Sequence, residues 1–182
     1  SLFEVLRRCE ENKECNGRYP NLKERLLRTL EKMETEPLHF DYKEKLFVLN
    51  VQDTMSLLIY LLYDRPTISD IPLLIEALEN GESEPIADVI QAFEPFYYLM
   101  NFPVMYSVAA YEELPFYNAT DMDKAIKQSE IGFAFASNSA ANLLAEWHPY
   151  RSTNLENQAV ISEIPTLMVS GSLDPATPPI NA

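Results

Sequence analysis

Apolar residues recur at three- and four-residue spacing over much of the chain, and capping residues, prolines or glycines punctuate the runs. Leu2, Phe3, Val5 and Leu6 predict a short helix over residues 2–12. Asn21 starts a second helix, with Glu24 in the capping-box position; Leu22, Leu26, Leu30 and Met33 follow on one face until Pro37 ends it. From Leu38 to Leu49 the spacing changes to alternation, which predicts a β-hairpin turning at Lys43-Glu44-Lys45. Helical spacing then returns. Asp53 caps a helix through Tyr63 with the stripe Leu57, Leu58, Leu61 and Leu62. Asp70 and Pro72 open the next, whose inner face is Leu74, Ile75 and Leu78 and whose stop is Gly81. Ser83 and Pro85 open another, carrying Ile86, Val89, Ile90 and Phe93.

The second half is less regular. Val104 to Glu113 is a β-prone run ending in paired acids. Thr120 can cap a helix starting at Asp121, and a further helix is expected from Ser129 toward Trp147, with Ile131, Phe135, Leu143 and Leu144 among its apolar positions. Tyr150 to Glu163 reads as a polar loop, and Thr166 to Val169 as a buried strand between Pro165 and Gly171. The aromatic stripe Phe93, Phe96, Tyr97 and Tyr98 fits either core or the lining of a cleft.

Composition narrows the partners. With 47% hydrophobic residues the 182-residue chain has enough apolar material for a real core. A net charge of −14 repels polyanions, which argues against nucleic acid and anionic membrane surfaces. The longest apolar run, Met55 to Tyr63, is too short to span a bilayer. No metal-ligand cluster, phosphate-binding glycine loop or cofactor signature stands in the sequence. The only cysteines, Cys9 and Cys15, are poor metal ligands at this spacing; they can close a small disulfide loop or remain two reduced thiols.

One carboxylate stands out as candidate chemistry. Asp174 follows the predicted strand and is held between Gly171 and Pro175, where the backbone has few conformations to choose from. An acid fixed beyond the carboxyl end of a strand is a common way to orient a catalytic histidine.

The segment Ile164-Pro-Thr-Leu-Met-Val-Ser-Gly-Ser-Leu-Asp-Pro-Ala-Thr-Pro-Pro resembles the late strand-plus-acid segment of α/β-hydrolases, in particular tripeptidyl aminopeptidase-like and proline iminopeptidase-like serine peptidases. Cys9-x5-Cys15 followed by Tyr19-Pro20-Asn21-Leu22 is similar to the start of the helical cap in exported members of that family, and weaker similarity extends over nearly the whole chain. The resemblance implies a mainly α fold: a helical cap (lid) domain over residues 1–150, then a return to the hydrolase core over 151–182, with strand 165–170 and triad-acid loop 171–179. It implies Asp174 as the triad acid, a Cys9–Cys15 disulfide, and a periplasmic or secreted setting. Val104 to Glu113 is similar to the strand that returns the cap toward the active site. There Glu112, and less directly Glu113, can pair with the protonated N-terminus of a peptide substrate.

Two departures qualify this resemblance. The family's second cysteine pair falls on Ala110 and Leu144, so that bond is absent. No Gly-x-Ser-x-Gly elbow occurs around Gly17, Gly81, Gly132 or Gly171, and both histidines, His39 and His148, precede the acid. The expectation is therefore a piece of a larger hydrolase, inactive alone, whose serine lies upstream and histidine downstream and whose partner is the remainder of the core. Its rival from another class is a stand-alone helical binding or scaffold module; an esterase of the same fold is a third reading.

Overall fold

Leu22, Leu26, Leu30 and Met33 lie one helical turn apart, and in the computed structural model all four are buried on the inner face of a helix at Leu22–Thr35. The structure describes residues 1–135, 146–147, 150–155, 158–177 and 179. These residues are mainly helical with one two-stranded sheet. They divide into two compact units, residues 1–95 with 167–182 and residues 96–166.

The first unit opens with α1 (Leu2–Glu11), which buries Leu2, Val5, Leu6 and Cys9. Next comes α2 (Lys13–Arg18), a single helical stretch whose N-cap Asn12 accepts hydrogen bonds from the backbone N–H groups of Glu14 and Cys15. Cys9 and Cys15 are joined by a disulfide across this junction, with their Cα atoms 5.1 Å apart. The third helix, α3, is Leu22–Thr35. Its N-cap is Asn21, but that residue sits in the left-handed region at φ 55° and its side chain caps nothing, so no capping box forms with Glu24. The hairpin β1 (Leu38–Tyr42) and β2 (Lys45–Leu49) pairs antiparallel from Leu38↔Leu49 to Tyr42↔Lys45. Its two turn residues, Lys43 and Glu44, have φ of 50° and 61°. That is the twist of a primed two-residue turn, made here without glycine or asparagine.

Helix α4 (Val51–Leu61) is capped by Asn50, whose side chain accepts from Asp53 N, rather than by Asp53 itself. Leu57, Leu58, Leu61 and Leu62 are all buried. After the short α5 (Arg65–Ile68), helix α6 (Ile71–Asn80) packs Leu74, Ile75 and Leu78 inward against α3. Gly81 ends it at φ 72°, and Glu82 N–H reaches back to Ala77 O at 2.8 Å, closing the terminus as a six-to-one bond. Helix α7 (Ser83–Leu99) buries Ile86 and Ile90, but Phe96, Tyr97 and Tyr98 are exposed rather than core.

In the second unit the β-prone run is not a strand. Asn101 caps Val104 N, Pro103 occupies the first turn, and α8 (Phe102–Val108) leads into a π-helical turn at Ala109–Glu113 and a 3-10 turn at Leu114–Phe116. A cap with a proline just inside it is a local helix signal strong enough to override a β-branched composition that has no ladder neighbour. Helix α9 (Ala119–Gln128) is capped by Asn118, which accepts from Thr120 N and Asp121 N, so the cap lies two residues before Thr120. The chain then turns sharply: a methyl group at Gly132 would stand 1.8 Å from Ile126 O, so only glycine fits. Residues 129–131 form a turn and Gly132–Phe135 is a 3-10 turn, so the first part of the helix expected from Ser129 is not α-helical; its middle, with Leu143 and Leu144, and His148 lie outside the described residues.

The strand predicted over 165–170 is not formed. Thr166 to Val169 joins no ladder among the described residues, and Leu167 and Val169 are 87% and 84% exposed. A strand is made by its neighbours' backbone groups, and among the described residues none pairs with this one.

Candidate functional site

Asp174 occupies a bend whose local sequence, Asp-Pro-Ala-Thr, has the residues of a helix start: an acid at the cap position and proline immediately after. One carboxylate oxygen accepts the backbone N–H groups of Ala176 and Thr177, each at 2.9 Å. The other accepts the Thr177 hydroxyl at 2.7 Å. Asp174 N–H donates to Gly171 O at 3.0 Å, and the Ser170 hydroxyl donates to Thr177 O, so the loop is closed at its base as well as at its tip.

The loop is also tied to the start of the chain. The Ser1 hydroxyl donates to Asp174 O at 2.6 Å, and Arg8 Nη2 donates to Ser172 Oγ at 3.0 Å. Arg8 is itself held by Glu4. Both contacts lie within the first unit. The acid is legible in the sequence; these partners are not. The signal for Thr177 was present, since aspartate followed by Thr three residues on is a side-chain capping pattern; for Ser1 and Arg8 there was none.

Hydrogen bonds to the ionised form set the electrostatics. The Thr177 N–H and hydroxyl, then the Ala176 N–H, hold the Asp174 carboxyl below its ordinary value, against a small opposing effect of burial. The group is a half-buried acceptor whose ionised form these bonds favour. A carboxylate offers about four acceptor positions, and three are used here.

Glu112 and Glu113 are exposed on the π-helical turn of the second unit. Asp174 belongs to the first unit. Nearby in the second unit, Trp147 donates from its indole to Ser107 Oγ at 3.1 Å and meets Tyr106 edge-on. Among the described residues no group of three or more His, Cys, Asp or Glu is placed to hold a metal ion, and no helix is long and apolar enough to cross a membrane. Comparison with family models, with curated proteins and with solved structures finds no match to the chain.

Proposed function

We propose that the chain is the cap and acid-bearing part of a secreted serine hydrolase, an exopeptidase that cleaves short units from free peptide N-termini. The observation that carries this is the state of Asp174: ionised, fixed by three local hydrogen bonds, and retaining room for one further donor. An acid in that state can hold an imidazole in one tautomer and stabilise its cation as the histidine takes the serine proton. The serine and histidine are supplied by polypeptide outside residues 1–182, as is the β ladder, which the apolar segment before the acid does not join among the described residues. Glu112, exposed on a π-helical turn of the kind that recurs at functional sites, receives the substrate's ammonium group.

The test uses the protein that bears this chain. A fluorophosphonate probe labels its nucleophilic serine, and Asp174→Asn lowers kcat on peptidyl amides about 10^4-fold with the helical content unchanged. Full turnover in that variant, or no labelled serine, sinks the assignment. Glu112→Gln raises KM for substrates with a free amine and not for their N-acylated forms.

The unpaired state of residues 165–170 favours a second reading, a self-sufficient helical binding module. Such a module melts cooperatively, stays monodisperse and binds no hydrophobic dye. A cap stripped of its core self-associates through the exposed Leu167, Met168 and Val169.

A further inference from the structure

Several carboxylates of the first unit are paired: Glu4 with Arg7 and Arg8, Glu79 with Arg25 and Arg28, and Glu94 with Lys43. A groove of about 380 Å³ beside α6 and α7 has an apolar floor that includes Leu61, Leu74 and Val89, and a rim that carries Asp70, Glu84 and Asp88. No lysine, arginine or histidine lines it, and none of the three rim carboxylates has an ion-pair or side-chain hydrogen-bond partner among the described residues.

Glu84 and Asp88 stand four residues apart on α7, one turn above the other. Like charges at that spacing repel by roughly 0.2–0.5 kcal/mol on an isolated helix. Asp70 and Glu84 each lie at a helix N-terminus, where a negative charge is favourable for the helix alone. Asp88 lies beyond the first turn of α7 and gains nothing of that kind. Its charge adds only to the field over the groove. On the groove wall Leu73 is 40% exposed, on a helix whose neighbouring Leu74 and Ile75 are fully packed.

We infer that this groove docks a cationic amphipathic peptide segment, its apolar side chains on the floor between α6 and α7 and its lysines or arginines against Asp70, Glu84 and Asp88. Apolar contact supplies the holding energy, and the three unpaired carboxylates supply orientation and the rate of encounter. The groove stands apart from Asp174 and does not depend on the hydrolase proposal.

The probe is a fluorescent amphipathic peptide of leucine and lysine, titrated into the 182-residue chain by anisotropy at low and at physiological salt. Glu84→Gln/Asp88→Asn weakens binding about fivefold and flattens its salt dependence. Glu31→Gln/Glu34→Gln, an exposed acidic pair on α3, leaves it within a factor of about two. Leu73→Ser weakens it without changing the salt dependence. Equal loss in both acidic pairs, equal binding of a scrambled peptide of the same composition, or no binding overturns the inference, the first two by showing only diffuse attraction to an acidic chain.

Discussion

Arg25 donates from Nε to Glu79 Oε2 at 2.6 Å, joining α3 to α6 where both helices turn their apolar faces to each other. Arg25 is 15% exposed and Glu79 25%, and Arg28 binds the second oxygen of the same carboxylate. Burial pushes the Glu79 carboxyl up, but the two guanidinium groups outweigh it and hold it below its ordinary value of 4.5. A carboxylate lowered in the folded state stabilises fully above its unfolded value, and that stability is lost as pH falls through the folded one. Glu79→Gln therefore costs about 1–2 kcal/mol at neutral pH. In urea unfolding the gap from the parent protein narrows as pH is lowered through the acid range; a gap constant with pH contradicts the charge-based account.

Two backbone positions predict substitutions of opposite sign. Glu44 holds φ 61° at the hairpin tip, where a side chain is strained, so Glu44→Gly stabilises by about 0.5–1 kcal/mol. The Lys43 to Glu94 ion pair remains intact in that variant. Gly81 holds φ 72° at the end of α6, and Gly81→Ala costs about 1 kcal/mol although nothing stands within 4 Å of the added methyl group. Thermal melting of the two variants separates them: one midpoint rises and the other falls.

These same features mark how far the sequence could be read. Helices α3, α4, α6 and α7 were legible because their apolar residues recur at helical spacing and are buried along one face of each, and the hairpin because alternation and a charged tip coincide. The caps at Asn50 and Asn118 lie three and two residues before Asp53 and Thr120, because asparagine accepts first-turn N–H groups as well as those residues do and the pattern alone does not choose between them. Val104 to Glu113 reads as β-prone on composition alone, but Asn101 and Pro103 start a helix there. The segment before Asp174 failed for a different reason. Its residues suit a strand, but strand formation depends on a partner that no property of residues 165–170 can supply. The acid itself was legible as a fixed carboxylate, and Arg8 and Ser1, far away in the chain, were not.

The bond between Cys9 and Cys15 links α1 to α2 around the Asn12 cap, with Cys9 buried in the first unit's core. A closed loop this small contributes about 2 kcal/mol through the unfolded chain. Dithiothreitol lowers the melting midpoint by the amount that Cys9→Ala/Cys15→Ala does, and has no further effect on that double variant. A midpoint indifferent to reductant shows that the thiols are not joined in solution.

Thr177 supplies two of the three donors to Asp174, one from its backbone and one from its hydroxyl, and only the second can be removed without disturbing the bend. Thr177→Val keeps the size and β-branching of the side chain and deletes the hydroxyl. The Asp174 carboxyl then moves up toward its ordinary value of 3.8, because the ionised form loses a donor that the neutral form used less well. Carboxyl-carbon NMR across the acid range reads the shift directly. In Thr177→Val the Asp174 titration midpoint rises, and the backbone bonds from Ala176 and Thr177 persist as slowed amide exchange. An unchanged midpoint shows that the hydroxyl points elsewhere in solution, and that the carboxylate has two acceptor positions to offer an incoming donor instead of one.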